Sequence, residues 1–363
     1  QHAIQVSVAV QEEIMRIDLS VMREEWETAV RLLRETLMQP RFDTEVLDAS
    51  RKRLLMGLSR QAGDAGRVSR RELEIQHFRG HPYGRDPLKG LDTIPGITRE
   101  DLHTFLNQYV VPSNMTVAVS GDLSMEEAVA GLEVLLGGLG AFAAPERDLA
   151  VPEPTPPVLA FIHKPGQVQS QVAMALPGPR RTEPGYWETN LLLDILGGRD
   201  SMVFRRLRED LGLVYSAYFH QRWKWKAGWI TGFMGCKGDR TSEAIRQAVG
   251  LMKVLREGIP EDELEQKRLD ALNSFVFNVD TPAALTNVYA RYRLRGEPLD
   301  TLQHIQEAYM EASREDLRLR ARTYLDPGKL QVIVVGDRTT PVVREDGTRV
   351  DLESSLRQTA EEL

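Results

Sequence analysis

Residues 98–122 read TREDLHTFLNQYVVPSNMTVAVSGD, and residues 313–337 read SREDLRLRARTYLDPGKLQVIVVGD. The two align without a gap at an offset of 215, with ten of 25 positions identical, among them Arg-Glu-Asp-Leu, a tyrosine, a proline and the closing Gly-Asp. A repeat of this kind restricts the fold to two copies of one supersecondary unit. The same offset superposes helices starting near Thr28 and Glu243, and a nearly equal one relates Phe42-Asp-Thr-Glu to Ile259-Pro-Glu-Asp. Each copy reads as an α+β unit: strands, a pair of long helices, then a returning helix and strand. The second copy starts near Val158, so its counterpart would start about 57 residues ahead of Gln1. The first copy is therefore expected to lack its opening strands and its first helix.

Periodicity places the elements. Strands are expected at 4–10 and 14–22, and helices at 24–38, 43–61 and 69–78. A further helix opens at Thr98, in the N-cap position, and Met115–Ser120 reads as a buried strand. In the second copy, strands are expected at 158–163 and 168–176, helices at 184–197 and 201–210, and a hairpin from 213–222 and 226–236. Helices at 240–257, 261–278, 282–294 and 313–325 and a strand at 330–335 complete it. The stretch 141–157 holds five prolines and marks a linker. The expected domains are 1–140, a linker at 141–157, a second domain at 158–337 and a polar, loose tail at 338–363.

The net charge is −7, and no basic tract is present. That argues against a nucleic-acid or anionic-membrane partner. Cys236 is the one cysteine, so no internal disulfide can form. No apolar run reaches membrane-spanning length, and polar residues interrupt every apolar stretch of residues 1–20, which rules out a signal peptide within them.

The segment SMVFRRLREDLGLVYS (201–216), the HPYG turn (81–84), the strand ending NMTVAVSGD and the duplication together resemble the M16 metallopeptidases (insulinase, pitrilysin and processing peptidases). The resemblance covers nearly the whole chain up to Asp337. It implies tandem α+β domains like those of the processing peptidases, each a mostly antiparallel sheet covered by helices, the first copy N-terminally truncated. In the family, two such domains form a half-clam and two half-clams enclose a chamber. Active members hold zinc through a His-x-x-Glu-His helix and a distal glutamate in the first domain, leaving a position for water.

No His-x-x-Glu-His occurs in this sequence. The second-copy counterpart of that helix, Trp187–Gly198, contains no histidine, and the distal glutamate would fall near Gly57, where 54–60 read LLMGLSR without a carboxylate. The resemblance therefore implies a non-catalytic member, with no catalytic or metal-binding residue and no cofactor of its own, zinc being expected in a partner. The residues matching the family's substrate-binding pair are Arg208 and Tyr215. A guanidinium and a phenol are suitable donors to a peptide carbonyl gaining negative charge. The expected function is to position a peptide or unfolded polypeptide for a zinc-bearing M16 homologue, or in a self-dimer. The alternatives are an active zinc endopeptidase represented by a fragment, and an assembly protein that kept only the fold. The sequence does not identify the compartment; the resemblance to exported bacterial relatives points to the periplasm or cell envelope, with the cytoplasm as the alternative.

Other residues compete for attention. His77 and His81 are four apart, a spacing that suits two metal ligands on a helix, but Gly80 and Pro82 put His81 in a turn. Trp223, Trp225 and Trp229 flank the hairpin and either pack on the sheet or line a peptide wall. Cys236 lacks the context of a nucleophile. The Gly137-Gly138 and Gly197-Gly198 pairs read as helix ends, and Glu261–Arg268 as a solvated face.

Overall fold

The computed structural model describes residues 3–146, 149–277, 279–344 and 346–363. Expectations that touch Gln1, His2, Arg147, Asp148, Asn278 or Glu345 lie outside the described residues there. The chain forms two compact units, and each draws on both halves of the sequence. The first comprises residues 1–56, 90–148 and 275–301; the second comprises 57–89, 149–274 and 302–363.

In the first unit, β1 (Ile4–Val10) and β2 (Met15–Val21) form an antiparallel hairpin. Helix α1 (Trp26–Met38) buries Ala29, Val30, Leu33 and Leu37, the stripe its 3.6-residue spacing foretells. Helix α2 (Thr44–Gly63) starts in this unit. The helix after α2, α3 (Ala65–His77), belongs to the second unit. Helix α4 (Arg99–Tyr109) opens with a capping box: the Asp101 N–H donates to Thr98 Oγ1 at 3.1 Å, and the Thr98 N–H donates to the Asp101 carboxylate at 2.8 Å. Helix α5 (Met125–Leu136) packs on α1, and Val30, Leu33, Leu37, Val110 and Leu135 form the buried cluster of the unit.

Met115–Ser120 does not form the buried strand expected from its sequence. It runs as irregular chain with Val117 exposed. Its repeat partner in the second unit, Gln331–Gly336, lies between two strands. Among the described residues no strand pairs with Met115–Ser120, so its backbone has no ladder to join.

The second unit carries a five-stranded sheet of β3 (Val158–His163), β4 (Gln169–Gly178), β5 (Val214–Lys224), β6 (Ala227–Lys237) and β7 (Gln331–Gly336), in the order β3-β7-β4-β6-β5. Only β3 and β7 run parallel; the other pairs are antiparallel. Strand β7 is buried at all six positions, as a strand with neighbours on both sides should be. Helix α3 lies across β4 and β7, and Leu73, Phe78, Ala173, Ala175, Trp229 and Ile333 meet there. The opposite face is covered by α6 (Tyr186–Gly197), which buries Leu191, Leu192, Leu193, Ile195 and Leu196. Beyond it come α7 (Thr241–Glu257), α8 (Glu261–Val276), α10 (Thr301–Glu311) and α11 (Arg314–Tyr324). The intervening α9 (Pro282–Arg295) belongs to the first unit.

Residues 338–363 differ from the loose tail expected of them. They form a short hairpin, β8 (Pro341–Val343) with β9 (Arg349–Asp351), and then α12 (Leu352–Glu362). Leu352, Leu356, Ser355 and Thr359 of α12 are buried, and Ser355 Oγ and Ser242 Oγ lie 2.7 Å apart. The proline-rich stretch is also held down over its last part. The Thr155 hydroxyl donates to His77 O at 3.2 Å, and the Gln331 amide donates to Pro156 O at 3.0 Å.

Candidate functional site

The segment matching the family's substrate-binding pair is set by two apolar anchors. Leu207 and Leu213 are fully buried, and the Leu213 N–H donates to Leu207 O at 2.8 Å. Between them the chain makes a π-helical turn (Arg205–Asp210), then a left-handed Gly212 at φ 58°. A π turn widens the helix by one residue and is often found at functional sites. Here it leaves Arg208 pointing to solvent.

Strand β5 then begins with a bulge. Val214 pairs with Cys236 and Ser216 with Gly235, so Tyr215 has no partner across the ladder. Its side chain is 50% exposed. Its carbonyl, freed by the bulge, accepts from Arg208 Nη1 at 2.6 Å. The Arg208 guanidinium also lies 5.2 Å over the Phe204 ring. The structure thus brings the two expected residues together, with Arg208 fixed by one hydrogen bond and one ring. Its remaining N–H groups have no partner among the described residues.

Strand β5 is also the last strand of the sheet, with one side unpaired. Its residues alternate between the two faces. On the face that carries α3 stand Ser216, Tyr218, His220 and Arg222. The Tyr218 hydroxyl accepts from Arg70 Nη2 at 2.9 Å, and its ring stacks on His220 at 5.6 Å and 13°. Burial pushes the His220 imidazole down to about 4, and the charges of Arg222 and Arg70 add to it. The sequence reading missed this row, although the polar-apolar alternation of VYSAYFHQRWK marks it.

The other candidates resolve into structure. The Tyr83 N–H donates to His81 Nδ1 at 3.1 Å, which leaves the Nε2–H to reach Ala150 O at 3.1 Å. His77 Nδ1 meets Gln331 Oε1 at 2.9 Å, and burial lowers its basicity. Trp229 is buried edge-on against Phe78 at 4.9 Å, Trp223 lies beneath Arg181, and Trp225 is exposed at the hairpin tip. The Cys236 thiol is fully buried, which pushes it up to about 12 and leaves it un-ionised. Gly197 and Gly198 close α6, and Gly137 closes α5.

The described residues do not fit a zinc ion. Helix α2 is continuous through Gly57, with open space where a side chain would project. On α6, Asn190 and Asp194 stand one turn apart, but Asn190 donates to the Tyr309 hydroxyl at 3.1 Å. Among the described residues no group of three histidine, cysteine or carboxylate side chains could hold a metal. Among the described residues, no helix is long and apolar enough to cross a membrane.

Comparison with known proteins places this α+β architecture among peptidase-like folds. A family model described as the peptidase M16 inactive domain matches residues 96–269. An uncharacterised zinc protease of Streptomyces coelicolor is 22% identical over 291 residues, which are 77% of this chain and 63% of that protein. The chain thus spans less than two thirds of that relative. The non-peptidase homologue YmxG of Helicobacter pylori is 19% identical over 350 residues, 93% of this chain and 78% of its own. The crystal structure of a peptidase M16 inactive domain from Pseudomonas fluorescens superposes with a TM-score of 0.84 at 20% identity, covering 92% of this chain and 81% of that one. Over residues 96–269 the chain is thus similar to the inactive domain of the peptidase M16 family, and it shares the fold of that domain.

Proposed function

We propose that this chain positions peptide substrate for a zinc-bearing M16 homologue, with Arg208 and Tyr215 supplying donors to the substrate backbone in a shared chamber. The observation that carries the reading is the exposed pair at the β5 bulge. Arg208 is oriented by Phe204 and by the Tyr215 carbonyl, yet keeps N–H groups for a ligand. A fixed guanidinium loses little entropy on binding a carbonyl, which makes it a better donor than a free one. The carboxylate-free stretch Leu54–Arg60 supports assigning the cutting to a partner.

The test is peptide hydrolysis and metal content for the full-length protein alone and mixed with a homologue containing His-x-x-Glu-His. No zinc and no cleavage alone, with cleavage in the mixture, is expected. Arg208→Ala or Tyr215→Phe should lower kcat/KM in the mixture by at least about tenfold, a modest share of what removing a transition-state donor costs. Both side chains are exposed, so folding should be unchanged. Stoichiometric zinc with cleavage by the protein alone would overturn the reading. Full activity of both variants would favour an assembly role instead.

A further inference from the structure

We propose that the α3-facing side of edge strand β5, formed by Arg70, Tyr218, His220 and Arg222, selects extended peptides with acidic side chains at alternate positions. The inference rests on the substrate-positioning reading and names the class of substrate. Its first ground is the strand edge. The outer side of β5 carries backbone donors and acceptors with no neighbouring strand, from the bulge at Tyr215 to Lys224. A peptide that adds to such an edge pairs through its main chain, and every second side chain falls on one face.

The second ground is charge. The protein carries a net −7, yet this face is cationic. Arg70 is oriented by a phenol and a ring: it donates to Tyr218 Oη at 2.9 Å and lies 4.7 Å over Phe233, and neither neutralises its charge. Among the described residues, no carboxylate pairs with Arg70 or Arg222. The acidic residue that α3 does send toward this face, Glu74, is committed to Lys224 at 2.6 Å. Both arginines are exposed and therefore remain hydrated until a ligand arrives. An incoming carboxylate opposite Tyr218 or His220 would lie between them, at cross-strand distance. His220 adds no charge of its own near neutral pH. Its Nε2 lies 3.1 Å from Thr231 Oγ1, and its ring stacks flat on Tyr218, which holds the wall rigid. Bidentate arginine–carboxylate contacts would supply the selection.

The experiment is fluorescence anisotropy with the full chain and three labelled peptides that alternate valine with glutamate, serine or lysine. The glutamate peptide should bind about tenfold more tightly than the serine peptide, the lysine peptide more weakly than either, and the preference should fade with added salt. Arg222→Glu and Arg70→Glu should abolish or reverse the preference. Equal binding of the three peptides, or a preference untouched by Arg222→Glu, would overturn the inference. Arg208→Ala separates the two proposals. If it weakens all three peptides alike while none is preferred, the positioning reading stands and the acidic preference falls. If the glutamate preference survives intact while Arg208→Ala changes nothing, the role given to Arg208 falls. Failure of all three peptides to bind would remove both.

Discussion

Residues 98–122 and 313–337 share ten identities and begin in the same way, yet end differently. Thr98 and Ser313 build matching capping boxes, with the N3 N–H donating to the hydroxyl at 3.1 Å in both. Both helices are followed by a short 3-10 turn that starts at the shared proline, Pro112 and Pro327. Then Gln331–Gly336 becomes a fully buried strand, while Met115–Ser120 remains irregular. Hairpin β1-β2 corresponds to β5-β6, but β3 and β4, which flank β7, have no counterpart in this sequence. A cap is satisfied within four residues, whereas a strand is satisfied only by its neighbours. The same local sequence therefore yields the same helix twice and the same strand once.

Truncating one valine in each copy should show the largest difference between them. Val332 is 1% exposed and Val117 is 43% exposed at the equivalent position. Val332→Ala removes two buried methyl groups from a two-sided strand and should cost about 2 kcal/mol. Val117→Ala should cost less than about 0.5 kcal/mol. Urea unfolding of both variants, followed by a probe in each unit, measures the difference. Equal costs would mean that Met115–Ser120 is packed as a strand after all.

How much was readable in advance follows the same division. Helices α1, α4 and α11 were legible because their stripes and caps are local. The β5-β6 hairpin was legible from its alternation and length. Strand 115–120 was misread because burial was inferred from composition while its neighbours were not counted. Helix α12 escaped notice because only Leu352 and Leu356 are large and apolar, the rest of its buried face being Ser355 and Thr359. Helix α10 was missed although Leu302, Ile305 and Tyr309 carry a helical spacing. Of the site, Arg208 and Tyr215 came from a motif, but neither the bulge nor the π turn that joins them leaves a residue signature. The charged face of β5 was in the alternation, but its lack of carboxylate partners is a property of the packed structure.

Helix α6 adds a pH dependence that should be confined to the second unit. Burial lifts the Asp194 carboxyl to about 6, Lys267 pulls it the other way, and Asp270 adds to the rise. The unfolded chain releases that proton near the ordinary aspartate value of about 4. The folded state thus binds more protons between about 4 and 6, and stability falls as pH rises through that range. Two pKa units correspond to about 3 kcal/mol, and partial exposure halves this to roughly 1.5 kcal/mol. Asp194→Asn should remove that slope, so the difference between variant and parent in urea midpoint should grow from pH 4 to pH 6.5. A constant difference would show that Asp194 titrates as if in water.

The smallest effect tests the shared feature. Thr98→Ala and Ser313→Ala each delete one capping acceptor and should each cost about 1 kcal/mol. Where that cost appears should differ. Helix α4 buries none of its residues, so losing Thr98 should raise amide exchange over its first turn and leave global stability nearly unchanged. Helix α11 buries Leu317 and Ala321, so losing Ser313 should lower the stability of the whole second unit. Hydrogen exchange resolved by peptide, combined with urea unfolding, distinguishes the two. If both substitutions act globally, the first unit is as cooperative as the second, and an irregular Met115–Ser120 does not loosen the helices around it.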